Sequence, residues 1–278
     1  MCINQLSRSF LLLLLCLAGT YAAAQTKDCQ VVDKQGESIP FVTVYAPGSQ
    51  AGVITDVDGH FDLASGFQVG DTLRFSCLSY TDNHVALRTL AAAGNCRVVL
   101  ASDAIDLDRI VVTDEVINLS DSTVGYREEL PLTFYDFHAP GAENGIVVPS
   151  ESPMLIDRVN IQFGPVTVDT IVLELNFYEL NAAGRPVRYL QQKRVVRKIP
   201  GLELHGAVRT IDLTDQRVRT EGPVLISLKT LAVDDDGKGK MFVGAKMEKD
   251  KALFRTAGDG WEDPGIYPLI EAEVRVEE

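Results

Sequence analysis

The chain has 278 residues, of which 46% are hydrophobic and 23% are charged, and its formal net charge is −13. A chain of this length and apolar content has room for two packed domains. Its negative charge repels phosphate backbones, which argues against a nucleic-acid-binding protein and against binding to anionic membrane surfaces.

The N-terminus has the features of a secretion signal. Arg8 supplies a positive charge, Phe10–Ala18 is an unbroken apolar run, and Ala22–Ala24 offers small residues for cleavage. The apolar run is about half as long as the roughly 20 residues of a membrane-spanning helix, so an uncleaved anchor is disfavoured. We predict a signal peptide over residues 1–24, no transmembrane segment in the mature chain, and a periplasmic or secreted protein that could associate with the outer membrane.

Three cysteines follow the predicted signal: Cys29, Cys77 and Cys96. They form no CxxC and have no His nearby in a ligand-like arrangement, which excludes the common zinc sites. Export permits a disulfide, and Cys29 and Cys96 each open a predicted strand that a small sandwich could place side by side. A Cys29–Cys96 disulfide is therefore a hypothesis, since spacing alone does not fix connectivity. Cys77 is interpreted as a small buried side chain.

Residues 27–113 are predicted to form a β-sandwich, because short apolar runs alternate there with turn clusters about every eight to twelve residues. The turn Asp56–Gly59 is expected to close a hairpin. Seven strands are predicted: Cys29–Val32, Phe41–Ala46, Gly52–Thr55, His60–Leu63, Thr72–Leu78, His84–Arg88 and Arg97–Leu100.

The motifs of this region resemble a known module. The matching residues are, in order, Val32-Asp33, Gly36, Ile39-Pro40, Val42, Val44, Gly52, Thr55-Asp56, Asp58-Gly59, Phe61–Leu63, Leu73, Ser76 and Leu78–Tyr80. Together they resemble the carboxypeptidase-regulatory-like module common in exported proteins of Bacteroidetes. The resemblance implies a transthyretin-like, seven-stranded sandwich and no peptidase activity. Where relatives usually have Gly before the final Tyr, this chain has Ser79.

A polar stretch, residues 114–126, is predicted to be a linker to a second β-rich domain over residues 127–278. Apolar and polar residues alternate there, as in Ile171–Tyr178 and Val224–Lys229. This period predicts sheets with one packed and one solvated face. The region resembles the jelly-roll domain that often follows the module in uncharacterised Bacteroidetes proteins. The predicted fold is all-β, with a seven-stranded transthyretin-like sandwich followed by a jelly-roll-like β-sandwich.

Catalytic signatures are missing from the sequence. The histidines form no HExxH, and no GxSxG elbow or phosphate-binding GxxxxGK[ST] occurs. The acidic pairs and runs at Asp56/Asp58 and Asp234–Asp236 could ligate Ca²⁺, but they lack the DxDxDG frame and are interpreted as turn residues. We predict no enzyme activity, no cofactor and no metal.

Aromatic residues give the only hint of a ligand. Trp261, the sole tryptophan, lies in a loop-like segment, and Tyr135, Phe137 and His138 lie close together. Exposed aromatic rings of this kind can stack on sugar rings, which makes these four residues weak candidates for a binding site. The alternative is that Trp261 covers the core.

The sequence predicts an exported, non-enzymatic accessory or binding protein of the cell envelope that recognises a protein or a glycan. Two alternatives stay open. One is a purely structural envelope component. The other is a glycoside hydrolase that uses two loop carboxylates of the second domain. The carboxylates available for it are Glu128, Glu129, Asp136, Asp259, Glu262 and Asp263.

Overall fold

The computed structural model of the protein describes residues 27–49, 51–103, 118–129, 133–137, 139–234, 239–257 and 260–277. Within these ranges the chain is mostly β-strand, and its buried side chains form two large hydrophobic clusters. The predicted signal peptide, the start of the predicted linker and His138 lie outside the described residues. No helix in the described ranges combines the length and the apolar character that crossing a bilayer requires.

The first sandwich has the seven strands that the sequence predicts. They are β1 (Asp28–Val32), β2 (Thr43–Tyr45), β3 (Gly52–Ile54), β4 (His60–Asp62), β5 (Thr72–Ser76), β6 (Asn83–Ala86) and β7 (Arg97–Val99). They form a three-stranded sheet in the order β4-β1-β7 and a four-stranded sheet in the order β3-β2-β5-β6. Val31 and Phe61 from the first sheet pack against Val44 and Phe75 from the second in the core between them.

The turn at Asp56–Gly59 forms, but it does not close the predicted hairpin. Asp56 Oδ1 accepts hydrogen bonds from the backbone amides of Asp58 at 2.9 Å and His60 at 2.8 Å, so both aspartates have a turn role. Gly59 has a φ of +76°, and a Cβ there would lie 2.6 Å from the Val31 carbonyl oxygen. Because β3 and β4 belong to different sheets, this turn carries the chain from one layer of the sandwich to the other.

A short helix, Leu87–Ala92, follows β6 directly. The sequence analysis predicted a strand that continued to Arg88. Leu87 and Leu90 are three residues apart, lie on one side of the helix and are buried. Two apolar residues are too few to distinguish this spacing from the end of a strand.

Cys29 and Cys96 form a disulfide, which is the pairing put forward from the sequence. Their strands β1 and β7 are parallel neighbours in which Gln30 pairs with Arg97. Cys29 and Cys96, which directly precede these two residues, therefore lie side by side. Cys77 is a free, buried thiol, and burial raises its pKa.

The second sandwich packs a six-stranded sheet against an eight-stranded sheet. Its strands are β8 (Leu119–Gly125), β9 (Thr133–Asp136), β10 (Glu143–Val148), β11 (Met154–Val166), β12 (Thr170–Leu180), β13 (Pro186–Tyr189), β14 (Val195–Pro200), β15 (Val208–Asp212), β16 (Val218–Thr220), β17 (Val224–Asp234), β18 (Met241–Lys246), β19 (Ala252–Arg255), β20 (Tyr267–Pro268) and β21 (Ile270–Glu277). A one-turn helix, Gly201–Leu204, follows β14.

Each sheet of the second sandwich is built around a long central strand. The six-stranded sheet runs β13-β12-β17-β10-β19, with β14 also paired to β12. The eight-stranded sheet runs β20-β18-β11-β21-β8, with β15 and β16 paired to β11 and β9 paired to β18. The core between the two sheets contains Ile146, Phe177 and Ile226 from the six-stranded sheet and Ile161 and Val274 from the eight-stranded sheet.

Part of the predicted linker is a strand. β8, Leu119–Gly125, pairs antiparallel with β21 along its whole length. In this segment only Leu119 and Val124 are large and apolar. An edge strand has a neighbouring strand on one side only, so it needs few buried side chains. The polar composition that indicated a linker is that of an edge strand.

The predicted fold class is confirmed: the protein is all-β, with a seven-stranded sandwich followed by a second, larger sandwich. The domain boundaries and the specific resemblance of the second sandwich to a jelly-roll family stay predictions.

We expect one free thiol in residues 25–278 when the protein is unfolded without reduction, and three after reduction. The disulfide spans a separation of 67 residues. Cys96→Ser should therefore lower the free energy of unfolding by about 2–4 kcal/mol, the typical effect of losing such a link. Thiol titration and urea unfolding measure both quantities, and three free thiols before reduction would contradict the pairing.

Candidate functional site

One face of the six-stranded sheet carries polar side chains that are buried. The alternation predicted for β12 and β17 is correct, since their apolar set faces the core of the second sandwich. The polar set was expected to face water, yet Glu174, Asn176, Tyr178, Ser227 and Lys229 are each at most 5% exposed. The prediction of a solvated face is wrong here. The first sandwich packs on this face at Lys229, and the Tyr189 and Trp261 rings of the second sandwich cover Tyr178.

Hydrogen bonds join the two sandwiches across this polar face. Lys229 Nζ donates to Thr43 Oγ1 in β2 at 2.6 Å. The two terminal nitrogens of Arg194 donate to the carbonyl oxygens of Pro40 at 2.9 Å and Phe41 at 3.5 Å. Cations of the second sandwich therefore satisfy acceptors on and just before β2 of the first.

Two residues of the first sandwich hold left-handed backbone conformations at this contact. Phe41 has a φ of +57° and Ser79 a φ of +72°. The Ser79 hydroxyl donates to the carbonyl oxygen of Gln192 at 3.2 Å. Non-glycine residues rarely adopt such angles, and a bulky residue such as Phe41 does so only where its surroundings hold it. Both residues take part in the contact with the second sandwich, Phe41 through its carbonyl oxygen and Ser79 through its hydroxyl.

Glu143, at the start of β10, lies at the centre of the polar face and is fully buried. Its Oε2 accepts from Arg255 Nε at 2.8 Å and from a terminal Arg255 nitrogen at 2.6 Å. Its Oε1 accepts from Ser227 Oγ at 2.6 Å, the Tyr178 hydroxyl at 2.9 Å and Asn176 Nδ2 at 3.0 Å. Burial alone would raise the pKa of this carboxyl, but Arg255, Lys229 and the Ser227 hydrogen bond lower it, so Glu143 is ionised.

A second buried ion pair lies beside the first. Arg194 Nε donates to Glu174 Oε1 at 2.5 Å. Burial lowers the pKa of the nearby Lys229 ammonium, and this effect outweighs the attraction of Glu174 and Glu143, which raises it. The polar face thus buries two carboxylates together with Lys229, and the half-buried Arg194 and Arg255 cover its edge.

A cavity of about 330 Å³ opens between the sandwiches above Glu143. Such a volume is at the lower end of the range for small-molecule sites. Its lining comes from β2 and β5 of the first sandwich and from the six-stranded sheet and the segment after β19 of the second: Thr43, Tyr45, Arg74, Ser76, Gly141, Tyr178, Pro186, Val187, Arg188, Tyr189, Lys229, Arg255, Thr256, Ala257, Gly260 and Trp261.

Aromatic rings and guanidinium groups are interleaved in the lining. The Arg255 guanidinium lies over the Trp261 ring at 4.4 Å from its centroid, and the Trp261 and Tyr178 rings meet edge to face at 5.5 Å. Tyr178 also contacts Tyr189, with ring centroids 4.5 Å apart. Burial raises the pKa of Tyr178 well above its ordinary value and that of Tyr189 to about 12. Both phenols therefore stay neutral and can donate hydrogen bonds at physiological pH.

The structure separates the four aromatic candidates. Trp261 lines the cavity and is half-buried, packing with a small cluster of Tyr178, Leu225 and Leu253. Phe137 belongs to the core of the second sandwich, and Tyr135 packs on that core beside it. These two do not reach the cavity that Trp261 lines, and His138 is not described.

The described carboxylates that were proposed for a hydrolase have other roles or positions in the structure. Glu128 pairs with Lys246, Asp136 pairs with Lys240, and Asp263 caps the turns at Asp250 and Gly265. None of Glu128, Glu129, Asp136, Glu262 and Asp263 lines the cavity, and Asp259 is outside the described residues. In the parts of the chain that are described, no three or more His, Cys, Asp or Glu side chains come together as a metal site.

Sequence reasoning missed the charged centre of the site. Glu143 and Lys229 interrupt otherwise apolar strands, and Arg255 ends one. An ionisable residue inside a strand of buried type is rarely tolerated without a partner, and this pattern is the signal that could have identified the site.

Comparison with known proteins identifies the first sandwich. Residues 29–112 match the family model described as the CarboxypepD_reg-like domain, a regulatory-like module and not a catalytic one. The predicted carboxypeptidase-regulatory-like module is confirmed, and the Bacteroidetes origin stays a prediction. No curated protein matches the chain.

The solved structures that match the chain are distant from it. One contains the cysteine protease and lectin-like domains of Cwp84, a surface layer associated protein of Clostridium difficile; it is 11% identical, has a TM-score of 0.39, and the match covers 57% of this chain and 36% of that one. A clostridial cysteine protease after propeptide cleavage is 8% identical with a TM-score of 0.40, covering 91% of this chain and 71% of that one. An infectious bursal disease virus particle is 11% identical with a TM-score of 0.28, covering 90% and 57%.

Glu143→Gln should strongly destabilise the protein, because it removes the countercharge of the half-buried Arg255 and one of the two carboxylates near the buried Lys229. Breaking a buried ion pair from one side lowers the free energy of unfolding by up to about 3–5 kcal/mol. The matched control is Glu128→Gln, which breaks the exposed pair with Lys246 and should have a much smaller effect. Urea unfolding compares the two, and equal losses would contradict the central role of Glu143.

The stability that Glu143 contributes should disappear in acid. Its pKa in the folded protein is below the ordinary value of 4.5, so the contribution is complete above that value and is lost as the pH falls through the folded pKa. Urea midpoints measured from about pH 6 down to about pH 3 should fall less steeply for Glu143→Gln than for the wild type. Parallel curves would show that Glu143 does not carry this pH dependence.

Proposed function

We propose that this protein is an exported, non-enzymatic binding protein of the cell envelope and that the cavity between its two sandwiches binds a saccharide. The observation that carries the proposal is the lining of the cavity, which combines aromatic rings with neutral phenols, hydroxyls and guanidinium groups. Saccharides are bound by groups of this kind, since their C–H faces pack on aromatic rings while their hydroxyls need polar partners.

The size of the cavity favours a small ligand over a protein partner. A cavity of about 330 Å³ has the dimensions of a small-molecule site. Stable protein partners instead meet over a broad surface, of about 800 Å² on each partner. A short segment of a glycan fits the space and could extend out of the opening.

The polar groups around the cavity favour binding over hydrolysis. A glycosidase needs two carboxyl groups about 5–10 Å apart across the scissile bond. In the described part of the cavity lining there is no Asp or Glu. Glu143 lies beneath it with hydrogen bonds to Arg255, Ser227, Tyr178 and Asn176, which occupy both carboxylate oxygens.

An extracytoplasmic location is part of the same proposal. The signal-like N-terminus supports it, and so does the Cys29–Cys96 disulfide, because disulfides persist in oxidising compartments such as the periplasm.

Trp261 provides a direct test, because it is the sole tryptophan of the chain and lines the cavity. Saccharide binding should change its fluorescence, and titration of array-selected oligosaccharides should give a saturable curve. Trp261→Ala should weaken binding by up to about tenfold, measured by calorimetry, because it removes one stacking surface.

The matched control is Phe134→Ala, which removes a partly exposed aromatic ring from β9, on the other sheet of the second sandwich. This variant should bind as the wild type does. A complete lack of binding across a broad glycan array would overturn the proposed function.

A further inference from the structure

The side chains that face the cavity are cationic, although the protein is acidic. The chain carries a net charge of −13, yet four cationic side chains line the cavity: Arg74, Arg188, Lys229 and Arg255. No acidic side chain is found among the lining residues that the structure describes. A ligand in this concave place therefore meets cationic hydrogen-bond donors first.

The carboxylates that partner these cations are not part of the lining. Arg74 pairs with Asp82, Arg188 with Glu179, and Arg255 with Glu143. None of the three acids lines the cavity. An anion in the cavity would therefore meet the cations without meeting their partners.

Lys229 has hydrogen-bonding capacity to spare. Its side chain is one of the few buried ammonium groups, with the residue 5% exposed. An ammonium has three donors, and the hydrogen bond found for Lys229 within the described chain is the one to Thr43 Oγ1. Leaving buried charged donors unpaired is costly, so a ligand that supplies an acceptor here gains more than one that does not.

We infer that the cavity selects acidic saccharides, and that Lys229 and Arg255 bind the anionic group while the rings of Trp261 and Tyr178 contact the sugar. The inference rests on the proposed function and adds the chemical class of its ligand. The shared chemistry is a sugar-borne oxyanion, which a uronate carboxylate or a sulfate ester can supply. A neutral sugar of the same shape would leave the Lys229 donors without acceptors, and this difference provides the discrimination.

The test is an array of matched pairs with the full mature chain. Each acidic oligosaccharide is printed beside its neutral counterpart, uronate oligosaccharides beside carboxyl-reduced ones and sulfated oligosaccharides beside desulfated ones. We expect the affinity for the acidic member of a pair to exceed that for the neutral member about tenfold or more. Comparison of the uronate pairs with the sulfate pairs shows which oxyanion is preferred.

Substitutions connect the selectivity to the cavity. Lys229→Met removes the charge at similar size and should reduce the affinity for the acidic member of a pair about tenfold or more, and reduce it more than the affinity for the neutral member. Because this variant also disturbs the buried ion network, Arg188→Gln serves as a second variant. Arg188 is mostly exposed, so its loss should change the unfolding midpoint little. It should weaken the binding of acidic oligosaccharides several-fold. The control is Arg158→Gln, an exposed arginine remote from the cavity that is paired with Glu273.

The outcomes separate the two proposals. Equal binding of acidic and neutral members would overturn the charge selectivity and leave the saccharide site standing. No binding to any member of any pair would overturn the proposed function and the inference with it. Acidic binding that survives both Lys229→Met and Arg188→Gln would place the anion elsewhere and would also overturn the inference.

Discussion

The ionised carboxylate of Glu143 connects the parts of this structure that matter for function. It receives hydrogen bonds from β12, β17 and β19, three strands of the six-stranded sheet. One of its partners, Arg255, stacks on Trp261, so the carboxylate fixes the residue that positions the indole. A charge buried without partners would be very unfavourable, and the strands of this sheet are therefore held in the register that satisfies it.

The same group explains how two sandwiches can share a polar interface. Most domain contacts exclude isolated charges, but here each carboxylate has at least one cation beside it. Two of the cations, Arg194 and Lys229, also donate to acceptors of the first sandwich. Hydrogen bonds of this kind are directional, so they specify one relative placement of the two sandwiches more strictly than an apolar contact would. The cavity is a gap left by this directional packing.

The sequence predicted the first sandwich well and the site poorly, for physical reasons. The strands near β1 to β7 are recognisable because turn residues such as Asp56 and Gly59 have local conformational requirements that are independent of the rest of the fold. Burial of the polar side of β12 depends instead on a domain more than a hundred residues away in the chain, and alternation alone gives the same pattern whether water or another domain covers that side. For β8 the local composition was misleading, because an edge strand needs little apolar surface.

Thr43 and Lys229 both line the cavity and come from different sandwiches, which has a thermodynamic consequence for the proposed ligand. A ligand that touches both sandwiches binds only when they are docked, so its binding energy adds to that of the docking hydrogen bonds. By reciprocity, any substitution that loosens the contact at Phe41 or Ser79 would lower the affinity for such a ligand without touching it. The unusual backbone angles of those two residues would then influence affinity from a distance, since neither residue lines the cavity.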